Sequence, residues 1–484
     1  MGGATLAAAL APSGRRIVIL ERGEKLEPSP EARSDVAIWG RGHYRPKELW
    51  LDGAGEAFNP GNYYYAGGNS KFYGAVLARY RAQDFSPMRH MGGTTPGWPI
   101  SYDEIEPWYQ TAEDFYQVRG ALGQDPSEPA HSGRYNFPPV PDEPSIADFR
   151  ARLTRAGVHP ASLPLGVDIE RWLAGGKTPW DAFPGCTEGK LDAETVGLAN
   201  ALQHPNVTLL TGAMVTRLVA GAAGIERVEF TRAGKAETIS APVVVLTAGA
   251  VNTAVLLLRS ADAAHPTGLA NSSDQVGRNF MNHNLSAVLA IHPLRVNTSV
   301  YQKTLMVNDF YLTGGPGGEP LGNIQLLGKI SGPILQSDTP MPLALARWVS
   351  RHAIDVLAMS EDLPNPDSRV TLKEDQIVLD WQRSNWPAHL ALVARLKAVL
   401  RKAGYPILLS KAFDRRTPSH QMGTARMGHD PRASVVNPYG QSHDLGNLYI
   451  ADASVLPTSA AVNPALTIAA LALRTADHIL RGAT

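Results

Sequence analysis

Three pieces of residues 419–480 decide the fold: SHQMGTARMG at 419–428, NPYGQ at 437–441 and NLYIADASVLPTSAAVNPALTIAALALRTADHIL at 447–480. They give a histidine in a glycine-flanked turn, a short apolar strand ending in Asp452, and a loop running to Asn463-Pro464. That loop opens a long apolar helix. Pro464 suits a first helical turn, where its missing N–H costs nothing. Asn463 suits the N-cap before it. The helix N-terminus offers free N–H groups and partial positive charge to an anion or an electron-rich ring edge. His420 and Asn463 lie far apart in sequence, so only folding brings them together. A histidine that takes a proton beside an asparagine that holds an oxygen makes an alcohol-oxidising pair.

This block resembles the C-terminal signature of the glucose–methanol–choline (GMC) family of FAD-dependent oxidoreductases. There, the histidine of an H-x-x-G-T-x-R-M-G-like motif shares the catalytic site with a His or Asn that directly precedes a proline. His420 and Asn463 match both positions. An isolated histidine in a turn, or an isolated N-cap, is more often structural. The whole block in order favours catalysis. The resemblance implies His420 as base, Asn463 on the same oxygen, and Asn463, Pro464 and Thr467 at a helix end facing the flavin. It also implies Asp452 and Ala453 beside the ribityl chain and pyrophosphate.

Residues 1–23 read MGGATLAAALAPSGRRIVILERG. Gly2 and Gly3 open an Ala/Leu-rich helix, Gly14 ends it, and Ile17–Leu20 is a short apolar strand stopping at Glu21 and Arg22. This is the second half of a dinucleotide-binding βαβ unit, with Glu21 placed to accept hydrogen bonds from a ribose. The first strand and a complete G-x-G-x-x-G are missing. A central parallel strand cannot simply be left out of such a sheet. The expectation is therefore a chain lacking N-terminal residues, through a misassigned start or a truncation, which a mass spectrum of the natively expressed protein tests.

Further segments extend the resemblance. Gly67, Gly68, Asn69 and Ser70, then Tyr73, Gly74 and Ala75, are similar to the family's loop over the flavin, where glycine lets backbone approach a flat ring. The loop lacks the histidine that bonds covalently to flavin in some members, so FAD is expected to bind non-covalently. Gly97-Trp98-Pro99 through Tyr109 resembles a structural family segment. Val215 matches a position whose backbone holds adenine. Val243–Leu246 is a buried strand running through Ala248 and Gly249 into a helix, like the second family signature. Val276–His283 reads VGRNFMNH, with Asn282 in place of the usual Asp, and His283 reads as structural. Glu361 is either a charge facing the site or a surface acid.

The expected fold is α/β: an FAD-binding Rossmann-like domain with its first strand missing (1–80, 190–284, 415–484), plus an α+β substrate domain with an antiparallel sheet (81–189, 285–414). Hydrophobic residues make up 44% and charged residues 19% of the 484, enough to bury a core. Lys+Arg and Asp+Glu are both 45, which gives no sign of a nucleic-acid partner. No apolar run is long enough to span a bilayer. The single cysteine, Cys186, excludes an internal disulfide or a Cys-ligated iron–sulfur cluster. No metal site is indicated.

The resemblance implies hydride transfer from a sugar, glycoside or polyol to FAD, with oxygen or another electron acceptor reoxidising it; a cytoplasmic location is expected. A non-sugar alcohol is one alternative. Others are a degenerate relative acting as a binding protein and an NAD-dependent Rossmann dehydrogenase.

Overall fold

The protein was analysed as a computed structural model, which describes residues 1–186, 188–221, 224–415, 417 and 419–482. Its helix Gly2–Leu10 passes through a 3-10 turn to Gly14, left-handed at φ 74°, and on to the strand Ile17–Leu20. The two leading glycines are demanded by close approach. A Cβ on Gly2 would lie 1.8 Å from the Ala451 carbonyl oxygen, and one on Gly3 would lie 2.5 Å from Thr247 Oγ1.

Ile17–Leu20 pairs in parallel with Val207–Leu210, and Val244–Leu246 pairs in parallel with Leu448–Ile450. These are two separate two-stranded sheets, and both line one cavity. The expected Rossmann-like half is present in this divided form. Beside it, Met214–Gly221, Gly224–Arg232 and Lys235–Ile239 form an antiparallel meander.

The second half is built on a six-stranded antiparallel sheet. Its order is Ile407–Ala412, His283–Ile291, Ala353–Glu361, Asn323–Leu326, Leu305–Val307 and Pro160–Ser162. Side chains alternate between its faces. Val288, Ala290, Val356 and Ala358 pack on Leu392, Leu396 and Leu400 of the helix Trp386–Lys402. The opposite face, starting with His283, turns toward the cavity.

The closing helix Ala465–Leu480 packs on Gly2–Leu10 and on Tyr102–Phe115. Leu6 and Leu10 meet Ala472, Ala476 and Ile479 there. Small residues on both helices allow this close crossing. The tryptophan of the Trp-Pro segment is structural: Trp98 packs on Phe85 and Tyr80 and donates to Thr458 Oγ1 at 2.8 Å.

Candidate active site

The sequence around His420 dictates a tight turn. Gly423 is left-handed at φ 75°, and a Cβ there would lie 2.1 Å from the Asn279 carbonyl oxygen. Thr424 follows at φ 81°, a costly conformation for a β-branched residue. It is held by its hydroxyl donating to the Ala250 carbonyl at 2.7 Å and its N–H donating to the Arg278 carbonyl. The Gly-Thr of the motif is thus a clasp between the Val276–His283 segment and the Gly249 turn. Asn282 completes it, its Oδ1 accepting from the His420 N–H at 2.8 Å.

The two histidines meet here. His283 Nδ1 and His420 Nδ1 are 2.8 Å apart, with the rings nearly perpendicular. His283 Nε2 lies 3.1 Å from the carbonyl oxygens of both Ser459 and Ala460. Carbonyls only accept, so His283 carries its proton on Nε2 and its Nδ1 is a bare acceptor. His420 must then donate from Nδ1, which leaves its Nε2 unprotonated. Asn463 Nδ2 lies 3.3 Å from that Nε2 and donates to it, while Asn463 Oδ1 accepts from Gln325 Nε2 at 3.0 Å.

Burial keeps both rings neutral. His283 is pushed down to about 4, and His420 is lowered well below the ordinary imidazole value by burial, then by His283 and Lys303. A neutral imidazole with a bare Nε2 can take a proton.

Asn463 does not cap the closing helix as its sequence position suggests. The helix starts at Ala465, the cap position is Pro464 without a side-chain hydrogen bond, and the Asn463 amide is turned to His420 and Gln325 instead. Glu361 is not a surface acid. It is 7% exposed, accepts from the Ala460 N–H at 3.0 Å, and burial raises its carboxyl well above the usual range. It is therefore a buried group held by the Ala460 N–H and not a solvent-facing charge.

The pair opens onto a cavity of about 2650 Å³. That is well above the roughly 300–1,000 Å³ of a small-ligand pocket, so there is room for a dinucleotide and a substrate. Every residue singled out above as catalytic or cofactor-binding lines it except Ala75 and Thr467. Ala75 is fully buried behind the loop. Thr467 is fully buried too, its hydroxyl 2.7 Å from that of Tyr109.

Several features form an open cradle in the cavity wall. Gly249 adopts φ 86°, and the space where its Cβ would stand is open. Asp452 locks that turn: its Oδ2 accepts from the Gly249 N–H and Thr253 Oγ1, and its Oδ1 accepts from Ser454. Across the cavity, Gly67 and Gly68 are left-handed. Ser70 Oγ donates to the Gly67 carbonyl and Asn69 Oδ1 accepts from Tyr63 N–H, holding this loop in shape. Glu21, raised by burial, accepts from Gly23 N–H at 2.8 Å at the strand end.

Sequence reasoning missed Gln325 and Lys303, and the contact His283 makes. Gln325 orients Asn463, and Lys303 reaches the cavity paired with Asp181 at 3.0 Å. Gln325 sits on a strand whose signal is bare alternation, so nothing in the sequence marked it.

Comparison with known proteins gives a consistent picture. Residues 157–285 and 364–472 match the N- and C-terminal models described as GMC oxidoreductase. The chain is 28% identical to 2-methyl-1,2-propanediol dehydrogenase of Mycolicibacterium austroafricanum, over 99% of this chain and 93% of that protein. It is 29% identical to 6'''-hydroxyparomomycin C oxidase of Streptomyces lividus, over 99% and 89%. Pyridoxine 4-oxidase from Mesorbium loti has the same fold, with a TM-score of 0.69 at 21% identity, covering 99% of this chain and 97% of that one.

Proposed function

The chain belongs to the GMC oxidoreductase family and is an FAD-dependent enzyme acting on CH–OH donors, and on that premise we propose that it oxidises a hydroxyl group of a sugar, glycoside or related polyol with His420 as base. The observation that carries this is the proton order fixed by the Ser459 and Ala460 carbonyls, which leaves His420 Nε2 bare beside Asn463. FAD, held non-covalently in the cradle, supplies the hydride acceptor. Asn463 Nδ2 donates to the substrate oxygen and fixes its position. His420 Nε2 takes the hydroxyl proton as the carbon gives up its hydride. His283 Nδ1 accepts the hydrogen bond from His420 Nδ1–H, and that bond becomes charge-assisted when His420 is protonated.

The substrate class rests on the relatives, one named for a diol and one for an aminoglycoside. No helix among the described residues is long and apolar enough to cross a membrane, and a cytoplasmic location belongs to this reading. The test is the flavin spectrum of FAD-loaded protein, followed without oxygen as sugars, glycosides and polyols are added. Bleaching by at least one of them is expected. Bleaching by none, with FAD bound, would overturn the reading.

A further inference from the structure

Resting on the reading that places Asn463 beside the base, we infer that the buried Arg81–Asp125 ion pair is a positioning site for the reaction: through a chain of three amides it fixes which end of the Asn463 side chain faces His420. The chain starts at an atom that only accepts. Asp125 Oδ2 takes a hydrogen bond from Arg81 Nη2 and another from Asn308 Nδ2, the latter at 2.7 Å. Its Oδ1 is occupied by the Ser127 N–H and hydroxyl, both at 2.8 Å. A carboxylate has no proton to give, so Asn308 turns its NH2 to Asp125 and its Oδ1 away.

Each later amide must follow. Asn308 comes directly after the strand Leu305–Val307, and Asn323 stands opposite it, one residue beyond the pair Val307 and Ile324. Asn308 Oδ1 accepts from Asn323 Nδ2 at 2.7 Å, and Asn323 Oδ1 accepts from Gln325 Nε2 at 3.1 Å. Gln325, two residues along the strand and so on the same face, gives its second hydrogen to Asn463 Oδ1 at 3.0 Å. The Gln325 Oε1 is buried with no hydrogen-bond partner among the described residues, so its NH2 end alone sets its direction. Asn463 is left with its NH2 toward His420 Nε2, 3.3 Å away. Reversing one amide sets oxygen against oxygen or NH2 against NH2. Arg81, Asp125, Asn308, Asn323 and Gln325 are all buried, where such a mismatch is most costly. Two sources of order therefore converge: the Ser459 and Ala460 carbonyls, through His283, leave His420 Nε2 bare, and Asp125, through the amides, brings it a donor. The same region holds the loop at a second point. The Arg81 N–H and the Tyr311 hydroxyl both donate to Asp84 Oδ2, and the Tyr311 oxygen accepts from the Ala461 N–H at 3.1 Å.

The test uses FAD-loaded protein with nitrogen-15-labelled histidine, the His420 Nε2 signal being identified by its loss in His420→Ala. Asn463→Ala removes the donor and moves this signal. Asn308→Leu, which parts the ion pair from the chain, should move it in the same direction. Asn308→Asp should leave it near the parent position, because a carboxyl buried against Asp125 keeps its proton and so offers a donor and an acceptor in the same order. Turnover is then read on the hydroxyl compound that bleaches the flavin. Asn308→Leu is expected to lower kcat about tenfold with little change in KM. In an Asn463→Ala background it should lower kcat little further, because groups acting through one another are not additive. A His420 signal unmoved in Asn308→Leu, or a loss of equal size in both backgrounds, would overturn the proposal. Should Asn308→Leu not fold, Asn323→Leu cuts the chain one link later and is read the same way. A moved signal in a protein that oxidises none of the compounds keeps the amide chain and removes the reaction; bleaching with an unmoved signal does the reverse.

Discussion

The two ends of the cavity are built to different standards. At the catalytic end a continuous six-stranded sheet carries His283, and the turn at Gly423-Thr424 pins His420 against it. At the nucleotide end the parallel sheet is two pairs, Ile17–Leu20 with Val207–Leu210 and Val244–Leu246 with Leu448–Ile450. Strands left with unpaired edges and little tertiary support are weak elements. The histidine pair is therefore held by the chain's own hydrogen bonds, and on the proposed reading a dinucleotide in the cavity would brace the two parallel pairs.

The sharpest way to test this contrast is His420→Ala. Removing the proposed base is expected to lower kcat/KM by about 10²–10⁴ while FAD stays bound, checked by turnover and by the bound-flavin spectrum. Loss of FAD in this variant would mean that the ends are not separable.

Asp452→Ala acts on the other end. It strips acceptors from Gly249, Thr253 and Ser454, so a loss of about 3 kcal/mol is expected, with weaker FAD binding. Thermal melts with and without FAD check it. In the intact protein, FAD at a hundred times its Kd should add about 2.7 kcal/mol to stability. A melting temperature indifferent to FAD would break the comparison.

His283→Ala frees the His420 tautomer without touching the cradle. A drop of about tenfold to a hundredfold in kcat/KM is expected, with FAD affinity unchanged.

The smallest effect is on pH dependence. His283 is held near 4 in the folded state, below its ordinary 6.5. Between those values the unfolded chain binds the proton and the folded one does not, so stability is lost as pH falls through that window, by at most about 1.4 kcal/mol per pH unit. Asp362, raised to about 6 by burial, opposes this: the folded state binds its proton first, so acid stabilises between its ordinary 3.8 and 6. His283→Ala should therefore destabilise less steeply on acidification than the parent protein, as read by denaturant midpoints across pH 4 to 6.5.

The motifs made His420, Asn463, the Gly67-Gly68 loop and the Gly249 turn legible, because each needs particular residues at fixed spacing. The family's fold came with them, as an FAD-binding Rossmann-like half beside an antiparallel sheet; the division of the parallel strands into two pairs did not. What stayed hidden depends on register between distant strands. His283 meets His420 because its strand pairs with Ala353–Glu361 while its preceding segment is clasped to the motif turn. The Asn463 amide prefers two long-range partners to a local cap, a choice that propensity cannot foresee.

Ala460 is left-handed at φ 51° without being glycine, and it is fully buried. Its twist lets two successive carbonyls, of Ser459 and Ala460, face one imidazole nitrogen. Three residues on, the same loop supplies Asn463. One short loop therefore sets the protonation pattern of the histidine pair and supplies the amide beside it. For anyone transplanting this chemistry into a relative, it is the smallest unit to move whole.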